Sequence, residues 1–160
     1  MKYENMAHVA FNIKDMEKAL RFYCDGLGLK YAYSMSYDTL YERLKEVGAP
    51  EEMQKQAGAL LGKPWHVYLE ITEGQFLELF YTYEDEPLAT DMAEKCGYQH
   101  LCLQVKDIHA AWDEVVSRGI TPESEIRLGC DQSYQFWVAD PDGNRIELMQ
   151  YTENSHQLHY

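Results

Sequence analysis

Met6-Ala7-His8-Val9-Ala10-Phe11-Asn12-Ile13-Lys14-Asp15-Met16 is answered, at an offset of 92, by Tyr98-Gln99-His100-Leu101-Cys102-Leu103-Gln104-Val105-Lys106-Asp107-Ile108. His, Lys and Asp coincide, and the apolar positions Phe11/Leu103 and Ile13/Val105 fall together. Each copy reads as a short strand, an Asp in N-cap position and then a helix. The first helix spaces Met16, Ala19, Leu20, Tyr23 and Leu27 on one side and stops at Gly26/Gly28. Its twin spaces Ile108, Ala111, Trp112 and Val115 likewise and stops at Gly119.

A second correspondence, at an offset of 69, lays Glu73-Gly74-Gln75-Phe76-Leu77-Glu78-Leu79 over Asp142-Gly143-Asn144-Arg145-Ile146-Glu147-Leu148. An acidic-Gly turn leads into a strand, with a carboxylate four residues after the Gly each time. Each half therefore runs strand, helix, several strands, with a His on its first strand and a Glu on its last. The offsets differ by 92 − 69 = 23, so the first half carries about 23 extra residues between its His and its Glu. They fall within 34–64, where Asp38–Val47 and Glu51–Leu61 read as two helices broken by Gly48-Ala49-Pro50 and closed by Gly62-Lys63-Pro64. Strands are expected over Trp65–Ile71, Gln75–Tyr83, Tyr134–Ala139 and Arg145–Tyr151. The organisation read from this is a first module over 1–83 (insertion about 34–64), a linker over 84–95, a second module over 96–152 and a tail over 153–160. The tail lacks periodicity and is expected to fray or to fold over the surface.

Composition narrows the partners. The 160 residues hold 46% apolar and 26% charged side chains, with 14 Lys plus Arg against 27 Asp plus Glu, a formal net charge of −13. That balance repels phosphate backbones and anionic membrane surfaces, so neither nucleic acid nor membrane is an expected partner. No apolar run approaches the roughly 20 residues of a membrane helix, and Met1-Lys2-Tyr3-Glu4 opens no signal peptide. Cys24, Cys96, Cys102 and Cys130 lie far apart with no CxxC, which reads as free thiols in a reducing cytoplasm.

Strand parity identifies what shares a face with the repeated His and Glu. Met6, Ala10 and Asn12 go with His8; Tyr98, Cys102 and Gln104 with His100; Phe76 and Phe80 with Glu78; Arg145, Met149 and Tyr151 with Glu147. The expectation is a mostly apolar cavity holding two imidazoles and two carboxylates. A buried carboxylate needs a partner or changes its protonation. Two readings satisfy that: each His pairs with a Glu as a plain hydrogen-bonded couple, or His8, Glu78, His100 and Glu147 bind one divalent cation. Recurrence of both residue types at equivalent positions favours the cation. Without a thiolate the donor set suits Zn, Ni, Co, Mn or Fe. His66, His109, His156 and His159 have no counterpart and are expected at the surface or in the tail, and Cys102 is expected to be a small core residue rather than a nucleophile. Tyr98 and Phe80 are candidates to line a substrate cavity. No G-x-S-x-G, P-loop or H-E-x-x-H occurs, and Gly26-Leu27-Gly28 follows a helix, not a strand.

His8-Val9-Ala10-Phe11 with Asp15, the Phe22-Tyr23…Leu27-Gly28-Leu29 run, and Asp140-Pro141-Asp142-Gly143-Asn144-Arg145-Ile146-Glu147-Leu148 together resemble the vicinal oxygen chelate superfamily of glyoxalase I, extradiol dioxygenases and bleomycin resistance proteins. The resemblance covers nearly the whole chain outside the insertion and the tail. It implies an α+β fold of two βαβββ modules whose curved mixed sheets surround a metal cavity, with a helical insertion in the first module. It also implies that His8, Glu78, His100 and Glu147 match the four ligands of glyoxalase I, with zinc or nickel foremost. The implied activity is a metal-dependent lyase or isomerase acting through an enediolate on a small substrate with vicinal oxygens. Glu147 would be the shuttle base, and Glu78 would serve the opposite face. Two other activities stay open within the resemblance. One is an Fe(II) extradiol-type dioxygenase using His8, His100 and Glu147; the other is a non-catalytic, ligand-sequestering resistance protein. A homodimer is compatible with either.

Overall fold

The computed structural model describes residues 2, 4–83 and 98–159, so the 84–95 linker and Cys96 lie outside the described residues. In chain order the elements are β1 (His8–Ile13), α1 (Met16–Leu20) continuing as a π-helical segment (Arg21–Gly26), β2 (Lys30–Ser36), α2 (Tyr37–Glu46), α3 (Glu51–Gly58), β3 (Pro64–Thr72), β4 (Gln75–Tyr81), β5 (Leu101–Gln104), α4 (Ile108–Ser117), β6 (Arg127–Leu128), β7 (Tyr134–Ala139) and β8 (Arg145–Gln150), closed by a short 3-10 helix at His156–Leu158. They form two four-stranded mixed sheets, ordered β1-β4-β3-β2 and β5-β8-β7-β6. The α+β class and the repeated sheet expected from the sequence are observed. Two compact units emerge, Met1–Met16 with Leu29–Glu84, and Glu17–Gly28 with Asp85–Tyr160.

In the first unit β1 runs parallel to β4, while β3 and β4 form an antiparallel hairpin. The hairpin turns at Gly74, whose φ of 74° is open to glycine and strained for other residues. Alternate residues Phe11, Ile13, Val67, Leu69, Leu77 and Leu79 are buried on one face, as period-2 strands require. Because β4 is a central strand, its middle residues Leu77, Glu78 and Leu79 are buried on both faces. The insertion forms the expected helical pair. Ser36 Oγ accepts from Thr39 N at 3.4 Å to cap α2, and α3 follows Pro50 with Glu51 and Glu52 in its first turn. The strand β2 reaches Ser36 and so takes the first three residues of the 34–64 insertion, and α2 begins at Tyr37, one residue before the expected Asp38.

The second unit repeats the plan: β5 parallel to β8, β7 and β8 antiparallel, and Asp107 Oδ1 accepting from His109 N and Ala110 N to cap α4. Its core holds Tyr23, Leu101, Ile108, Val115, Phe136, Val138, Ile146 and Leu148. Segment 21–26 widens to π geometry, with Leu27 N bonding Phe22 O five residues back. The Tyr23 hydroxyl there donates to Asp140 Oδ2 at 2.8 Å, and both groups are buried. Asp140 also accepts from Asp142 N, Asn144 N and Asn144 Nδ2, so one carboxylate ties the β7–β8 turn to the helix. The tail folds onto the surface instead of fraying. Ser155, fully buried, accepts from Ser133 Oγ at 2.9 Å, and His156 N donates to Asp131 O. Among the described residues no helix is long and apolar enough to cross a membrane.

Candidate metal centre

Parallel pairing of β1 with β4 sets Ala10 opposite Glu78 and places His8 two residues away on the same face. A diagonal neighbour of that kind is within reach of a long side chain, and His8 Nε2 lies 3.5 Å from Glu78 Oε2. The carboxylate, at mid-strand in the sheet centre, is 7% exposed, whereas the imidazole on the edge strand is 46% exposed. On the other side of β4 the hairpin register sets Tyr68 opposite Glu78 and His66 opposite Phe80. The Tyr68 hydroxyl hydrogen-bonds Glu78; burial first, then this bond, pushes its pKa up to about 12, so it stays a donor. His66 Nδ1 approaches Glu78 Oε1 to 3.2 Å. The ring is only 4% exposed and is walled by Trp65, Phe80 and Tyr68 at centroid distances of 4.3, 5.2 and 5.3 Å. Neither of its nitrogens completes a hydrogen bond, because the close approach to Glu78 lacks alignment. Burial lowers the His66 pKa below the ordinary value, against the opposing pull of Glu78, and the ring is neutral at pH 7.

The second unit builds the same corner from different side chains. Cys102 is the register partner of Glu147 on β8, in the place Ala10 takes beside Glu78. His100 precedes β5 on that face and sets Nε2 3.2 Å from Glu147 Oε2, with exposures of 34% and 6%. Trp137 on β7 faces Glu147 and meets the His100 ring edge-on at 4.8 Å, while the Arg145 guanidinium lies 4.3 Å over the indole. The Cys102 thiol hydrogen-bonds Glu147, and partial desolvation of the thiol together with the nearby carboxylate pushes its pKa up to about 12.

Three sequence expectations are corrected here. His66 is not a surface residue: it packs on the Glu78 face because β3 alternates His66 and Tyr68 with the core-facing Val67 and Leu69. Cys102 is not a core residue, since it stands on the exposed side of β5, opposite Leu101, whose side chain is buried. The shared faces are also more open and more aromatic than an apolar cavity. Ala10 and Asn12 are exposed, and Tyr33 stacks on Tyr68 at 4.7 Å with an interplanar angle of 12°. Phe80 lies on the Glu78 face against His66, and Tyr98 is 37% exposed. His109, His156 and His159 are exposed, as expected.

The structure thus brings His8 to Glu78 and His100 to Glu147. Among the described residues no three His, Cys, Asp or Glu side chains cluster closely enough to hold an ion. The donor chemistry nonetheless fits a divalent cation: each unit offers an imidazole nitrogen beside a buried carboxylate, and the first also holds an imidazole with both nitrogens unpaired. Leaving such atoms unpaired costs about 1–3 kcal/mol each, which an aligned partner would recover.

A sequence profile described as Glyoxalase/Bleomycin resistance protein/Dioxygenase superfamily matches residues 5–148. The chain is 25% identical over 148 residues to a probable lactoylglutathione lyase from Synechocystis sp., covering 91% of this chain and 94% of that one. It is 24% identical to glyoxalase I from Saccharomyces cerevisiae, matching over 94% of its own length but only 46% of the yeast protein. Its fold is similar to the crystal structure of a glyoxalase family protein from Enterococcus faecalis, with a TM-score of 0.68 at 21% identity over 93% of this chain and 99% of that one. With the repeated sheets, the paired His and Glu and a profile match over most of its length, the chain belongs to the Glyoxalase/Bleomycin resistance protein/Dioxygenase superfamily.

Proposed function

We propose that the protein is a divalent-metal-dependent lyase or isomerase of the glyoxalase type, acting on a small molecule with two neighbouring oxygens. The observation that carries this is the repeated imidazole–carboxylate corner, His8 with Glu78 and His100 with Glu147, each on a central-strand Glu. Relatives named lactoylglutathione lyase and glyoxalase I support an enzymatic role. The modules over 1–83 and 96–152 each supply one pair, and these four residues hold the ion, zinc or nickel foremost. When bound, the cation supplies Lewis-acid polarisation of the substrate's neighbouring oxygens. Glu147 takes the proton from the carbon beside the carbonyl and returns it. It is suited to this because its protein partners are a weakly donating thiol and one imidazole, which leave oxygen lone pairs free. Glu78, held by the Tyr68 hydroxyl, accepts from the opposite face. The free thiols Cys24, Cys102 and Cys130 support a cytoplasmic setting.

The test is elemental analysis of untagged protein after chelation and retitration with zinc and nickel, expecting about one ion per chain and weaker binding in Glu147→Gln. Full metal affinity in a His8→Ala, His100→Ala double variant would overturn the ligand assignment. Turnover is then measured with thiol adducts of 2-oxoaldehydes and, separately, with catechol, Fe(II) and an oxygen electrode. Isomerisation without oxygen uptake is expected. Oxygen uptake would replace the reading with a dioxygenase, and tight binding without turnover would replace it with a sequestering protein.

A further inference from the structure

We propose that His66 is a positioning residue for Glu78, its Nδ1–H donating to Oε1 and fixing the orientation in which the carboxylate presents Oε2 toward His8. The inference rests on the reading of Glu78 as a metal ligand and deepens it by assigning the residue that aims it. The geometry is specific. Glu78 divides its two oxygens between two imidazoles, Oε1 3.2 Å from His66 and Oε2 3.5 Å from His8, and the two rings differ sharply in exposure. His8, nearly half exposed, can turn outward to a ligand. His66 cannot, because Trp65, Tyr68 and Phe80 wall it in.

An imidazole with its proton on Nδ1 donates from that atom whether it is neutral or charged. For His66 the only acceptor within reach among its described polar contacts is Glu78 Oε1; neither nitrogen completes any other bond. A buried donor that lacks only alignment with a carboxylate 3.2 Å away gains that bond through a small rotation, as hydrogen bonds in unliganded sites tighten on binding. Partners that orient the carboxylates and imidazoles around a metal are worth roughly 10- to 100-fold in affinity. At the equivalent place of the second unit, 69 positions on, stands Gln135, so among the described residues Glu147 has one imidazole beside it where Glu78 has two.

The test uses the full chain and two independent readouts. Long-range proton–nitrogen spectra of the metal-free protein should show His66 as the Nδ1–H tautomer, with its Nδ1 resonance moved by Glu78→Gln. An Nε2–H tautomer overturns the proposal whether or not metal binds. Zinc titration should then give roughly 10- to 100-fold weaker affinity in His66→Phe, which preserves a buried ring. His66→Asn, whose amide nitrogen takes the place of Nδ1, should recover most of that loss, and it keeps the titration decisive if the Phe variant does not fold. Equal zinc affinity in wild type and both variants overturns the positioning role while leaving the metal reading intact. Loss of the Nδ1 proton on adding zinc would make His66 a direct ligand and also overturn it. If the wild type binds no zinc or nickel, the metal reading fails and with it the role given to Glu78, which the tautomer result separates from the contact itself.

Discussion

Glu78 and Glu147 occupy one position of a repeated sheet, yet their surroundings differ. Glu78 is gripped from the neighbouring strand by Tyr68 and His66, and from the edge strand by His8. Glu147 faces the flat ring of Trp137 on one side and a thiol and His100 on the other. The fold fixes where each carboxylate stands, because a central strand buries its middle residues whatever they are. The cross-strand neighbours decide how firmly each is held, and those are free to differ between copies. In the reading proposed here that difference ranks the two bases: Glu78 is the more firmly held, and Glu147 is the freer to move a proton.

The sharpest way to break this comparison is to neutralise each carboxylate in turn. Glu147→Gln should lower turnover by about 10³-fold or more, and Glu78→Gln by about 10²-fold, on the scale of losing a general acid–base. Zinc content has to be measured on the same samples, since ligand loss also lowers activity. Equal losses at equal metal occupancy would mean the two carboxylates act alike, and a Glu78→Gln variant that keeps metal and wild-type turnover would make Glu78 a spectator.

Much of this arrangement was legible in the chain. The two offsets placed both His–Glu corners, and the Gly48-Ala49-Pro50 break located the helical pair now seen at Tyr37–Glu46 and Glu51–Gly58. The strand β2 was missed although Tyr31, Tyr33 and Met35 alternate with Lys30, Ala32, Ser34 and Ser36, because it has no counterpart in the repeat and is largely exposed on both faces. His66 was missed for a different reason: searching for repeat counterparts discards a residue whose value lies in being different. The register hid it as well. Carried back regularly from Thr72 opposite Gln75, β3 would set Leu69 opposite Glu78; the bulge between Glu70 and Thr72 shifts it by one residue and brings Tyr68 opposite Glu78 and His66 onto that face. Cys102 was misread because the pattern marks which residues share a face with His100 and does not say that this face stays open.

The units also differ in how their turns are secured, which predicts a smaller effect. At the β7–β8 turn Asp140, 5% exposed, accepts four hydrogen bonds, one of them from the buried Tyr23 hydroxyl. Burial, together with the Asp140 charge, raises the Tyr23 pKa well above its ordinary value, so the hydroxyl remains a donor. The β3–β4 turn has Ile71 at the position of Asp140, and its own acidic residue, Glu73, is exposed. Tyr23→Phe should therefore cost about 1.5–3 kcal/mol, the range for a hydrogen bond to a charged group. Glu73→Ala should stay within about 0.5 kcal/mol. Denaturant melts of both variants check this, and equal midpoints would show that the Asp140 anchor adds nothing.

The smallest effect expected is in the tail, which only the second unit carries. Asp131 Oδ2 accepts from Gln157 Nε2 at 2.5 Å and its Oδ1 from Ser133 N at 3.3 Å. Burial pulls the Asp131 pKa upward, but the bonds from Gln157 and Ser133 outweigh it and hold the carboxyl below its ordinary value of 3.8. With the folded value depressed, the unfolded chain binds more protons as pH falls. The contribution of Asp131 is thus fully present above the unfolded value and is lost as pH drops through the folded one. Amide exchange at Ser155–Leu158 should accelerate below about pH 4 relative to the intrinsic rate, while β7 and β8 stay protected. In Gln157→Ala the strongest of those bonds is gone, so exchange in the tail should be faster at neutral pH and much less sensitive to acid. If instead the tail and the sheet lost protection together, the tail would be an integral part of the second unit's core rather than a separately docked strap. The two copies would then differ in architecture as well as in the side chains around their carboxylates.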